Sequence, residues 1–228
     1  MNGHNIIDFQ TARRNMVDNQ IRCCKVLDTT ILELLETMPR EEFLPEDIRS
    51  LAYMEGRVPL PCGQEMLSPL QEASILQSLS LQGHERVLEI GAGTGYLTSL
   101  LAMKGGEVVA CELHKELADM ADENIRRHGV TNAAILHVNA MLPEEMKRHR
   151  ELAHPFDAIV IGAAIPEIPE HLTALLHDHG QMVAFIGTNP VVSLVHMRRT
   201  GTVWQKTALL ETLLQDIEGL PEKREFVF

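Results

Sequence analysis

Aromatic residues are scarce in this chain: one Trp, two Tyr and six Phe, 4% of 228 residues. A core built from it must be filled by Leu, Ile, Val, Ala and Met. The hydrophobic total of 45% is ordinary for a globular chain long enough to bury one. Cysteine is scarce too. Cys23, Cys24, Cys62 and Cys111 form no C-x-x-C pair, which argues against a zinc site or a disulfide framework and fits a reducing compartment. Basic residues are outnumbered, 20 against 32 acidic ones, for a formal charge of −12. A nucleic-acid backbone needs a cationic footprint, so nucleic acid is not an expected partner. No apolar run approaches the ~20 residues that span a bilayer. The segment carrying Asp8, Arg13, Arg14 and Asp18 has no apolar signal core. A soluble, cytoplasmic protein without a membrane partner is expected; its oligomeric state is not legible. Repeats, low-complexity tracts and coiled-coil heptads are also lacking.

What the chain does have is a change of rhythm near residue 83. Over 9–81 the pattern is mostly helical. Asp28 can cap a helix whose apolar face carries Ile31, Leu32, Leu34, Leu35 and Met38, and Pro39 stops it. A Pro- and Gly-containing loop occupies 58–64. Pro69 suits the first position of a helix running through Ala73, Ile75, Leu76 and Leu79. Beyond Gly83, short strands are expected at 86–90, 107–111, 133–138, 157–161 and 182–186. Helices are expected at 94–103, 115–128 and 169–176. Such alternation implies an α/β fold, a doubly wound, mostly parallel sheet with helices on both faces. Two further strands, 193–198 and 205–214, read as an antiparallel pair. The chain divides into a helical cap with a substrate loop (1–82) and a cofactor-binding α/β part (83–228), in one compact unit.

The first strand-to-helix turn reads Glu89-Ile90-Gly91-Ala92-Gly93-Thr94-Gly95-Tyr96. Ligands of doubly wound sheets bind at that turn, and glycine lets the backbone approach them closely. A dinucleotide fingerprint would be G-x-G-x-x-G; here the glycines alternate and bulky Tyr96 stands at the third-glycine position, which disfavours a nicotinamide enzyme. Glu89, two residues before the first glycine and expected at the mouth of the site, would repel a pyrophosphate but attract the cationic methionine end of S-adenosylmethionine. Glu112, closing the second strand, is placed for ribose hydroxyls. The expected cofactor is S-adenosylmethionine, with Glu89, Gly91, Ala92, Gly93, Gly95, Tyr96, Glu112 and Leu113 around it.

Further stretches carry a family resemblance. They are Ala12-Arg13-Arg14-Asn15-Met16-Val17 with Gln20-Ile21, Met38-Pro39-Arg40-Glu41-Glu42-Phe43-Leu44-Pro45, Ala52-Tyr53, Pro59-Leu60, Gly63-Gln64, the cofactor turn, and Ala163-Ala164-Ile165-Pro166-Glu167-Ile168-Pro169. Over nearly its full length the chain resembles the protein-L-isoaspartate O-methyltransferase family. The tail Arg224-Glu225-Phe226-Val227-Phe228 resembles that of a bacterial branch. The resemblance implies a class I, Rossmann-like methyltransferase fold with an N-terminal helical extension, and methylation of isoaspartyl carboxylates in damaged proteins.

Two departures accompany it. The family's Thr-Ile-Ser-x-Pro, whose hydroxyls help to hold acceptor and cofactor, is Glu65-Met66-Leu67-Ser68-Pro69 here, which leaves Ser68 as the nearby hydroxyl. The family's Gly-Asp-Gly after the third strand is Val138-Asn139-Ala140, from which Asn139 could hydrogen-bond the adenine edge beside Ala140. An isoaspartyl carboxylate, with an unperturbed pKa around 4, needs alignment and not a general base. A Glu65 carboxylate about 4 Å from it would cost roughly 4 kcal/mol at an effective dielectric near 20. Glu65 would instead suit an acceptor that must lose a proton. The candidate catalytic residues are thus Ser68 and Glu65. The alternatives are a methyltransferase acting on another acceptor, a small molecule or another protein site, and a non-catalytic cofactor-binding homologue. No metal site is expected: His171, His177 and His179 read as surface residues. Cys62 reads as filler and Cys23-Cys24 as helix packing.

Overall fold

The structure is a computed structural model and describes residues 7–221; the tail at 224–228 lies outside the described residues. Seven strands form one sheet in the order β5-β4-β3-β6-β7-β8-β9. They are β3 (Arg86–Ile90), β4 (Glu107–Glu112), β5 (Ala133–His137), β6 (Phe156–Ile165), β7 (Leu176–Thr188), β8 (Val191–Thr200) and β9 (Val203–Thr212). Pairing is parallel from β5 to β7 and antiparallel through β8 and β9. The chain winds outward from β3 through β4 to β5, then returns to lay β6 on the other side of β3. That reversal opens a crevice at the carboxyl ends of β3, β4 and β6, where an open α/β sheet binds ligands. Helices α4 (Tyr96–Lys104) and α5 (Lys115–Arg127) make the crossovers. Residues 87–90 of β3 are all buried, as expected of a central strand covered on both faces.

The sequence-based expectations meet the structure closely, with three differences. The helix expected at 94–103 begins only at Tyr96, because Gly91, Gly93 and Gly95 all have positive φ and hold the backbone out of the helical region. The helix expected at 169–176 is a single turn, Glu170–Thr173. Leu176 already pairs with Phe156 as β7 begins, with a register shift before the regular ladder from Gln181. The loop at 58–64 is bracketed by a two-residue ladder, β1 (Val58–Pro59) against β2 (Glu65–Met66).

The N-terminal helices α1 (Phe9–Met16), α2 (Thr29–Thr37) and α3 (Pro69–Leu79) share one hydrophobic cluster with α4, α5 and the sheet. Asp28 caps α2 by accepting from Thr30 N and Ile31 N, and the helix ends at Met38 before Pro39. The largest fully buried side chain is polar: Arg40 donates to Ala52 O (2.8 Å) and Leu67 O (2.6 Å) and pairs with the buried Glu72. Cys23 and Cys24 are both exposed, which corrects the reading of them as helix packing: the buried side of this turn is filled by Val17, Ile21 and Val26.

Candidate active site

The Gly91–Tyr96 turn is held by backbone bonds from Gly91 N and Ala92 N to Cys111 O (2.8 and 3.3 Å) and from Gly95 N to Ala92 O (2.8 Å). Gly91 and Gly95 do different tasks. A Cβ on Gly91 would meet nothing within 4 Å, so the turn is open there to whatever lies above it. A Cβ on Gly95 would lie 2.9 Å from Ala121 O, so Gly95 lets α4 pack on α5 and faces neither cavity described below. It thereby serves the close packing that the third glycine of a dinucleotide fingerprint serves.

Two cavities meet at Gly91. The first runs over the ends of β3, β4 and β5. It gathers Glu112, Leu113, Asn139 and Ala140 with Ile90, Val138, Met141 and Gln64. Glu112 is oriented by two backbone donors, Gly93 N to one oxygen (2.9 Å) and His114 N to the other (3.0 Å). A carboxylate oxygen has lone pairs beyond one such bond, so both can still accept from ribose hydroxyls. Asn139 is committed differently from the expectation that it reads the adenine edge. Its Oδ1 accepts from Met141 N (2.9 Å) and its Nδ2 donates to Gly219 O (2.9 Å), so the side chain clamps the turn and the C-terminal segment. The apolar walls Ile90, Val138, Ala140 and Met141 are what an adenine ring would lie between.

The second cavity is bounded by Glu89, Gly91, Ala92, Gly93, Thr94 and Tyr96 on the cofactor side and by Leu60, Glu65, Met66, Leu67 and Glu72 on the other. Glu89 lies deeper than the mouth position expected of it: it is 1% exposed, because β3 is central in the sheet. Burial pushes its carboxyl up to about 8, against the hydrogen bond from Thr98 Oγ1 to Oε2 (2.5 Å). Its other oxygen, Oε1, is buried with no partner. A buried carboxylate oxygen without a donor is costly, and a cationic group placed in this cavity removes the cost. The arrangement fits the ammonium end of S-adenosylmethionine.

The 65–69 segment departs most from what the sequence implied. Ser68 is the N-cap of α3: its Oγ accepts from Gln71 N (3.3 Å), and Gln71 Oε1 accepts from Ser68 N (2.8 Å). That reciprocal capping box engages the hydroxyl, and Ser68 lines neither cavity. Glu65 does line the second cavity, but its carboxylate lies 3.2 Å from the Arg57 guanidinium, which offsets the charge. Leu67 presents an apolar wall, and its carbonyl is held by Arg40.

Sequence reasoning missed the C-terminal segment that closes the first cavity. Residues 213–219 cross the crevice: Arg57 donates to Leu213 O, Ala164 N to Gln215 O (2.9 Å) and Ile217 N to Ala164 O (2.7 Å). Glu218 then accepts from Gln64 Nε2 (2.7 Å) and lies 3.3 Å from His114 Nε2. No periodicity marks such a strap, because it belongs to no regular element. It joins the 58–64 loop to the cofactor side, and a strap in this place is expected to slow cofactor exchange. Replacing Glu218 by Ala is expected to raise the dissociation rate of S-adenosylhomocysteine about 3- to 10-fold, the worth of one side-chain bond. Stopped-flow displacement checks this, and an unchanged rate would rule out the strap as a closure.

Glu72 was also missed; its signal, Arg40, lies 32 residues away in sequence. Cys62 is exposed, and slight desolvation together with the nearby Glu116 carboxylate pushes its thiol up, away from a reactive thiolate. His177 and His179 are exposed, and His171 Nε2 is 2.9 Å from Ala140 O, in the turn that follows β5.

Comparison with known proteins gives a consistent picture. The family described as Protein-L-isoaspartate(D-aspartate) O-methyltransferase (PCMT) matches residues 11–213. A Protein-L-isoaspartate O-methyltransferase of Herpetosiphon aurantiacus is 35% identical over 201 residues, 88% of this chain and 87% of the relative. One of Methanoculleus marisnigri is 35% identical over 192 residues, 84% of each. The crystal structure of a Plasmodium falciparum protein of this description, in complex with S-adenosyl-L-homocysteine, superposes with a TM-score of 0.74 at 24% identity. It covers 90% of this chain and 98% of that one, and shares its fold.

Proposed function

The chain belongs to the protein-L-isoaspartate O-methyltransferase family, and on that premise we propose that it methylates isoaspartyl carboxylates of damaged proteins with S-adenosylmethionine. The observation that carries the cofactor reading is the unpartnered Glu89 Oε1 beside an open glycine turn. The cofactor supplies a methyl group on a sulfonium, transferred by in-line displacement. Glu89 takes its ammonium, Glu112 its ribose, and Gly91 leaves room for it; the apolar walls of the first cavity take the adenine. Residues 1–82 act as cap and substrate loop, and residues 83–228 hold the cofactor. A cytoplasmic setting suits the free Cys23, Cys24, Cys62 and Cys111.

The acceptor side asks only for alignment and exclusion of water, since an isoaspartyl carboxylate is ionised near neutral pH. The Arg57–Glu65 pair supports this reading, because it lessens the repulsion that a lone Glu65 would exert. The same pairing speaks against Glu65 as a general base for a phenol, amine or amide, since its carboxylate is already engaged by the Arg57 guanidinium. The test is transfer of labelled methyl into an isoaspartyl peptide and its aspartyl twin. We expect incorporation into the isoaspartyl peptide at least 100-fold above the twin; equal incorporation would overturn the reading.

A further inference from the structure

Among the described residues, four buried side-chain atoms have no hydrogen-bond partner: Glu89 Oε1, Tyr96 Oη, His114 Nε2 and His128 Nε2, the two imidazole nitrogens facing Glu218 at 3.3 Å and Glu42 at 3.6 Å without hydrogen-bond alignment. Two of these residues, Glu89 and Tyr96, line the same cavity, the one between the cofactor turn and the 65–67 segment. Glu89 is accounted for by a cation. The Tyr96 hydroxyl is not accounted for by anything in the fold.

The chain holds two tyrosines, and they contrast sharply. The Tyr53 hydroxyl is used in full: it donates to Glu41 and accepts from Arg13 Nε at 2.7 Å. The Tyr96 hydroxyl, on a residue 1% exposed, has neither donor nor acceptor. A phenol buried with an unmade bond costs free energy, and a phenylalanine of the same shape would not. The ring is nevertheless fixed firmly. Arg40 Cζ stands 4.9 Å from its centroid, and Phe43 packs edge-on at 5.2 Å. A rigid ring with a spare donor is preorganised for a ligand.

The 65–68 segment offers this cavity no free hydroxyl: Glu65, Met66 and Leu67 carry none, and Ser68 sits outside the cavity in its capping box. Thr98 already donates to Glu89. We infer that Tyr96 donates its hydroxyl to a carboxylate bound in this cavity, and so supplies from the cofactor turn a hydrogen bond the 65–68 segment does not provide. Two carboxylates could come within reach, that of the acceptor and that of the cofactor's amino-acid end. Both need a donor that stays protonated, and burial keeps the Tyr96 phenol so well beyond physiological pH. Arg40 sets a cation beside the ring and offsets Glu72, so the neighbouring carboxyl does not expel an anion from this place.

This inference rests on the methyltransferase reading above, and the wild-type assay separates the two: failure of that reading appears before any variant is made. The test compares Tyr96→Phe with the wild type in three measurements. Thermal unfolding should show the variant equal in stability or more stable, because an unmade bond is removed. Calorimetry with S-adenosylhomocysteine and steady-state kinetics with an isoaspartyl peptide then identify the carboxylate. A rise of about 10- to 100-fold in the peptide's KM with unchanged cofactor affinity assigns the hydroxyl to the acceptor. A similar loss of cofactor affinity assigns it to the cofactor. Unchanged values in both, or a loss of stability that accounts for the loss of activity, would overturn the inference. Should the wild type not methylate the peptide, calorimetry alone decides: lost cofactor affinity supports the inference and unchanged affinity overturns it.

Discussion

Replacing Glu89 by Gln is expected to weaken S-adenosylmethionine binding about 10- to 100-fold while leaving the cofactor-free protein at least as stable at neutral pH. The first effect follows from losing a charge-assisted bond in a buried site, worth about 1.5–3 kcal/mol. The second follows from burial. The Glu89 carboxyl ionises near 4.5 in the unfolded chain but only at about 8 in the folded one. Between those values the unfolded state holds fewer protons than the native state, so the contribution of this carboxyl to stability is fully present below about pH 4.5 and is lost as pH rises toward 8. In Glu89→Gln this contribution to the slope should vanish, and urea unfolding of wild type and variant from pH 5 to 8 measures the difference. A cationic ligand reverses the preference by favouring the ionised carboxylate. Binding at pH 7 should therefore release close to one proton from the wild type and none from the variant. Calorimetry in buffers of different ionisation enthalpy reads that number directly, and equal proton release from both proteins would remove Glu89 from the cofactor site.

The glycine turn, the parallel strands and the closing antiparallel pair were legible because each leaves a local signal. β3 and β6 read as short apolar runs, and the alternating Gly91, Gly93 and Gly95 mark a turn where the backbone leaves the helical region. What was illegible depends on partners distant in sequence. Asn139 fits an adenine contact by position, yet Gly219, 80 residues on, takes its amide. Ser68 looked like a displaced catalytic hydroxyl, although Ser-x-x-Gln is equally a helix-start signature, and the Gln71 bonds decide in its favour. Glu65 looked like an unpaired charge because Arg57 faces it only across the β1–β2 ladder. Glu89 was placed at the mouth, whereas its strand lies between β4 and β6 and hides the carboxyl.

Arg40 carries the largest expected effect on stability. Its guanidinium is fully buried and holds three groups: the Glu72 carboxylate, Ala52 O and Leu67 O. Arg40→Met would leave a buried carboxyl and two carbonyls without donors, and breaking a buried pair by removing one member costs about 3–5 kcal/mol. That is a large part of the roughly 5–15 kcal/mol that stabilises an ordinary domain, and for a chain of this length it lowers the Tm by about 10 °C. Adding Glu72→Leu should recover much of the loss, because an apolar pair of similar volume carries no uncompensated charge. Activity should not follow stability. Leu67 O is positioned by Arg40 Nη2, and Leu67 walls the second cavity, where on the proposed reading the acceptor carboxylate would approach the methyl group. The double variant should therefore bind S-adenosylhomocysteine nearly as the wild type does, yet turn over an isoaspartyl peptide at least 10-fold more slowly. Full turnover in a well-folded double variant would confine Arg40 to stability. Loss of cofactor affinity in step with turnover would mean that the pair shapes the Glu89 side of the cavity and not the acceptor side.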